Sequence, residues 1–110
     1  MININGEEWR ILLVSPFHPA LERSDRGYTL GVCDDILKTI YINEDLNQEY
    51  IWKVLCHELT HAAMFSYNID LTLEQEEILA DLIATYGQEI VYMTNLVFKR
   101  IIEKRGKPIF

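Results

Sequence analysis

At 110 residues the chain has room for one domain, spanning residues 1–110, with a modest hydrophobic core. Its formal charge of −7 argues against a nucleic-acid partner, because phosphate binding draws on patches of Lys and Arg. No apolar run approaches the roughly 20 residues of a membrane span. The opening Met1-Ile2-Asn3-Ile4-Asn5 lacks the basic start and long apolar stretch of a secretory leader. Two cysteines, Cys33 and Cys56, are too few for a disulfide framework and read as free thiols of a reducing cytoplasm.

Ile2 and Ile4 alternate with Asn, and Asn5-Gly6 follows, so residues 2–4 and 8–14 are expected to form an antiparallel hairpin. The second strand carries Ile11, Leu12, Leu13 and Val14 in a row, which predicts burial near the middle of a sheet. Ser15-Pro16-Phe17-His18-Pro19 cannot continue the ladder, and residues 20–26 suggest a short helical turn. Tyr28 to Cys33 and Lys38 to Asn43 read as third and fourth strands around the turn-forming pair Asp34-Asp35. In the fourth, Ile40 and Ile42 share one face while Thr39 and Tyr41 share the other.

Asn47 is the expected N-cap of a helix from about Gln48 to Tyr67, with Ile51, Leu55, Leu59 and Ala62 as its core stripe and Asn68 as a left-handed stop. Cys56 falls in this helix and reads as a buried structural thiol. Thr72 and Gln75 resemble a capping box that opens the next helix near Leu73. Its apolar pattern continues past Gly87, which marks a kink or a break, and on through Ile102 until Gly106 and Pro108 end it. The basic residues Lys99, Arg100, Lys104, Arg105 and Lys107 then sit where cations suit the end of a helix. The expected fold class is α+β: a small antiparallel sheet of three to four strands packed on the first long helix and one or two following helices.

The chemistry concentrates in His57-Glu58-Leu59-Thr60-His61. Four residues apart on a helix, the two imidazoles share one face and can hold a single ion. Glu58 lies about 100° round from His57 and is free to act on a water as general base. This is the HExxH arrangement of zinc metalloproteases. A catalytic zinc usually takes three protein ligands, and the motif supplies two. Within Glu74-Gln75-Glu76-Glu77, Glu77 is followed four residues later by Asp81. One of these carboxylates can ligate while the other accepts the free ring N–H of a ligand histidine. Glu74 and Glu76 read as solvated acids favoured by the helix dipole. His18 is a weak site candidate in a loop, and Tyr67 is the tyrosine best placed to line a cleft.

These residues resemble the glutamate-type zincins, in which HExxH is followed on a later helix by a ligand Glu and an Asp four positions on. The chain's small size and its Ile40-Tyr41-Ile42-Asn43, HExxH and Glu77-Ile78-Leu79-Ala80-Asp81-Leu82-Ile83-Ala84 segments look like the ImmA/IrrE-type metallopeptidases of phages and mobile elements, over roughly residues 2 to 90. The resemblance implies Zn²⁺ held by His57, His61 and Glu77, Glu58 as base, and Asp81 as the partner of a ligand histidine. It implies a cytoplasmic protein or peptide substrate, with a transcriptional repressor as one candidate, lying beside the fourth strand. The larger glutamate-type zincins carry a further His or Tyr that stabilises the oxyanion, and no motif here identifies one. The alternative reading is a non-catalytic module in which zinc braces a partner-binding surface. Neither reading sets the oligomeric state.

Overall fold

Asn5 and Gly6 both take positive φ, 49° and 84°, the requirement of a tight two-residue hairpin turn. In the computed structural model, which describes residues 1–104 and 106, they join β1 (Ile2–Ile4) to β2 (Glu7–Val14). Beyond Val14 the prolines remove ladder donors and the chain leaves the sheet. A 3₁₀ turn, Pro19–Leu21, replaces the helical turn expected over residues 20–26. The chain re-enters as β3 (Gly31–Asp34), three residues later than expected, because Tyr28 forms only an isolated bridge with Glu22. The Asp34 carboxylate accepts from the Ile36 and Leu37 N–H groups, each at 3.0 Å, and turns the chain into β4 (Thr39–Asn43).

The sheet order is β1-β2-β4-β3. Both hairpins are antiparallel, but β4 inserts between β2 and β3 and runs parallel to β2, so the sheet is mixed. The expectation of a purely antiparallel sheet is corrected in this respect. Residues 15–30 carry the chain back across the sheet, so β3 descends and β4 must ascend alongside β2.

The expected burial of β2 also needs correction. Ile11, Leu12 and Leu13 remain 38–59 % exposed. β1 pairs with Glu7–Trp9 and β4 with Arg10–Val14, so neither half of the strand has a neighbour on both sides.

Helix α1 (Gln48–Ser66) starts at Asn47, whose side chain accepts from the Tyr50 N–H at 2.9 Å. It ends in a Schellman motif: Asn68 is left-handed, φ 54°, while Asn68 N–H donates to Phe65 O and Ile69 N–H to Met64 O. The Thr72–Gln75 capping box then opens α2 (Leu73–Leu82). Gly87 does not break the helix. The helix passes through a π-turn, Ile83–Gly87, with helical backbone angles at its flanks, and continues as α3 (Gln88–Glu103). Lys99, Arg100 and Lys104 lie at the end of α3; Arg105, Lys107 and Pro108 fall outside the described residues.

The core lies between the sheet and α1. Trp9, Ile40, Ile42 and Ala62 are buried there, flanked by Ile4, Cys33, Val54, Leu55 and Leu59. Ile40 and Ile42 do share the inward face, as their alternation requires. On the other face the His18 ring stacks on Tyr41 at 5.5 Å, and its Nδ1 caps the 3₁₀ turn by accepting from Ala20 N–H. His18 thus serves the loop's structure and does not join the group that could hold an ion.

Two hydrogen bonds clamp α1 to the hairpin. The fully buried Trp9 donates from Nε1 to Ser66 Oγ at 2.8 Å, and Asn5 Nδ2 donates to the Ser66 carbonyl at 2.9 Å. Ser66→Ala leaves the indole N–H without a partner and is expected to cost about 1–3 kcal/mol in urea unfolding. Thr94→Ala, at an exposed hydroxyl that bonds only its own helix, is expected to change stability by less than about 0.5 kcal/mol.

Candidate metal centre

Helices α1 and α2 run antiparallel side by side, so one turn back along α1 matches one turn forward along α2. His61 meets Glu76 and Glu77, and His57 meets Glu77 and Asp81. The contacts sort by ring nitrogen. Nδ1 of His61 lies 2.6 Å from Glu76 Oε1, and Nδ1 of His57 lies 3.0 Å from Asp81 Oδ1. With each Nδ1–H donating to a carboxylate, each Nε2 is left with a bare lone pair.

Those two Nε2 atoms face one another at 3.1 Å. They lie 3.2 and 3.0 Å from the two carboxylate oxygens of Glu77. In that tautomer three electron-rich groups converge with their protons turned outward, an arrangement that is repulsive unless a cation sits among them. The ligand atoms lie within 4.8 Å of one another. A tetrahedral ion with bonds of roughly 2.0–2.1 Å sets its ligands about 3.3 Å apart, close to the separations seen. His57, His61 and Glu77 fit a metal ion. Two imidazoles and one carboxylate form the donor set of open, three-ligand sites.

Glu76 is the residue that sequence reasoning misplaced. It is not a solvated first-turn acid: its side chain is only 13 % exposed and makes the shortest contact in the cluster. The signal was its position four residues before Ala80 and eight before Ala84, both buried against α1. A carboxylate that continues a buried stripe of small residues needs a partner. Asp81 takes up the expected contact with His57, although it is 73 % exposed.

Glu58 belongs to no ligand pair. It is buried, and burial pushes its carboxyl above the ordinary value; Glu77 adds to the rise, while His57 and His61 oppose it. Its neighbour across the cleft is the edge strand β3. A Cβ on Gly31 would come within 2.5 Å of Val54 Cγ1 and 3.1 Å of Glu58 Cγ, so only glycine lets strand and helix approach this closely. Two clefts flank the histidines along β3. One is lined by Leu30, Tyr50 and Lys53, the other by Arg23, Val32 and Cys33. Tyr67, the C-cap residue of α1, lines neither and is 57 % exposed. The Cys33 thiol is pushed up to about 12 by burial, with Glu58 contributing, and so stays protonated. Cys56 is half-buried in an apolar cleft with Trp52 and Ile83. Neither thiol joins the group that could hold an ion.

The sequence profile of the IrrE N-terminal-like domain, a peptidase family, matches residues 15–91. The chain belongs to this family. That span carries the whole histidine–carboxylate cluster together with β3, β4 and the π-turn. No curated protein and no solved structure matches the chain. The family suggests a metallopeptidase role, and no helix among the described residues is long and apolar enough to cross a membrane.

Removing either carboxylate that holds an Nδ1 is expected to free the ring and weaken metal binding 10–100-fold. Glu76→Ala should therefore bind zinc less tightly in a competition titration with a chromophoric chelator. Glu74→Ala, one turn from the cluster in sequence but outside it, should match the parent.

Proposed function

We propose that the protein is a zinc-dependent peptide hydrolase with Glu58 as its general base. The observation that carries this reading is the division of labour among carboxylates around two histidines. Glu77 faces both bare Nε2 atoms, Glu76 and Asp81 hold the rings, and Glu58 stands apart, buried and uncommitted. A site built only to brace the fold would use a fourth protein ligand, and the group that fits an ion has three.

In this reading His57, His61 and Glu77 hold the ion. Zinc bound there would supply Lewis acidity, polarising a peptide carbonyl and acidifying water. Glu58 takes a proton from water as the water oxygen adds to the carbonyl carbon, and returns it to the amine nitrogen as the C–N bond breaks. The raised carboxyl of Glu58 suits both halves of that transfer. Glu76 and Asp81 keep both imidazoles in the tautomer that presents Nε2.

The substrate backbone lies along β3, whose outer edge is open beside α1; β4, the strand first expected in that role, is enclosed between β2 and β3. Its chemical class is a protein or peptide in an extended conformation, with a cytoplasmic regulator such as a repressor as the candidate. Arg23, Tyr50 and Lys53 offer the hydrogen-bond donors of the flanking clefts.

Glu58→Gln keeps size and polarity but cannot accept the proton. It is expected to bind about one zinc per chain and to lose hydrolysis of unstructured proteins and peptide libraries, followed by mass spectrometry, by roughly 10²–10⁴-fold. Undiminished cleavage by that variant contradicts the assignment. A zinc-loaded parent with no cleavage of any substrate favours the bracing module instead.

A further inference from the structure

Helix α3 is the least covered element of the molecule. None of its residues is buried, and it packs chiefly against the π-turn from which it emerges. The described chain extends 58 Å in one direction against 31 and 28 Å in the others. At about 1.5 Å per residue, α3 accounts for about 24 Å of that length. A lone helix of this length is marginal in water. Its composition also does not suit solvent. Ile90, Met93, Val97, Phe98, Ile101 and Ile102 fall within about half of the circumference at about 100° per residue. All but Val97 are 41–59 % exposed. Such a face reaches the roughly few hundred Å² that monomers rarely exceed in one apolar patch.

Charge identifies what covers it. Residues 1–87 carry five Lys and Arg against fifteen Asp and Glu, whereas residues 88–110 carry five against two. In sequence, the first 87 residues are thus strongly acidic and the C-terminal stretch basic. Within the arm, Glu89 stands at the start of α3, and Lys99, Arg100 and Lys104 stand at its end with Glu103 among them, so the end is net positive. That polarity complements itself under a two-fold rotation. An antiparallel pairing sets Glu89 of one copy against the Lys99–Lys104 end of the other, and rests each basic end near the other's acidic first 87 residues.

We infer that the apolar face of α3 is the interface of a homodimer in which the two arms pack antiparallel. The two helices alone cover less than the roughly 800 Å² per partner of a standard interface, which sets the expected affinity in the moderate range.

Sedimentation equilibrium of the full chain across roughly 1–100 µM tests this, because that range brackets moderate affinities. The parent is expected to reach twice its 12.9 kDa chain mass. Met93→Glu and Ile101→Glu, at exposed positions where Glu favours helix, are each expected to raise the dissociation constant at least tenfold with unchanged circular dichroism. Carbodiimide coupling of a mixture of isotopically light and heavy chains is expected to join Lys99 or Lys104 of one copy to Glu89 of the other. A parent that stays monomeric overturns the inference, whether it then binds vesicles or another protein. So does a dimer that survives both variants, or one cross-linked only through the exposed edge of β2.

Discussion

Two imidazoles can share one cation only if each offers a bare nitrogen to the same point, and in water nothing makes them do so. The rest of the molecule answers to that constraint. Each ring is held by a carboxylate on its outward nitrogen, 2.6 Å from Glu76 and 3.0 Å from Asp81. Those carboxylates reach their places because α2 returns antiparallel along α1. The return depends on the left-handed Asn68 and on the Thr72–Gln75 box, which fix where one helix stops and the next begins. The sheet sets the depth of α1 through the Trp9–Ser66 hydrogen bond and the packing of Ile40 and Ile42. Gly31 then lets the edge strand close over Glu58. Small domains bury limited surface, and here the polar cluster takes up much of one side of α1, the long helix that faces the sheet.

The features legible in the sequence were those with short-range causes. Asn5-Gly6, Asn47, Asn68 and the Thr72–Gln75 pair each act on their own few residues, and each does what its chemistry requires. The four-residue spacings of His57 with His61 and Glu77 with Asp81 likewise carried directly into shared faces. Strand order was not legible, because the insertion of β4 between β2 and β3 depends on a connection whose path no local signal describes. The apolar run of β2 suggested a central strand, but where its neighbours end is a property of other segments.

Glu76 shows a different limit. Its neighbours Glu74 and Glu77 are exposed or half-exposed, so composition alone hid the one acid of the three that is enclosed. The distinguishing feature was helical phase: Glu76 continues Ala80 and Ala84, which only the packing of α2 on α1 reveals as the inward stripe. The same packing explains why the helix survives Gly87. The π-turn carries the chain past Ala84, where α1 is close, and releases α3 away from the body. The arm thus follows from how the metal-facing helix ends. Its apolar face remains half-exposed because the short sheet and α1 are already occupied with one another.

The central claim is that nitrogen and oxygen donors from two helices, without either thiol, take one ion at this point. X-ray absorption at the zinc K-edge of the zinc-loaded protein tests it most directly. The account predicts about four light ligands at roughly 2.0–2.1 Å with the outer-shell signature of two imidazoles. A sulfur shell at about 2.3 Å, which would place Cys33 or Cys56 on the metal, or a protein that takes up no zinc, contradicts it.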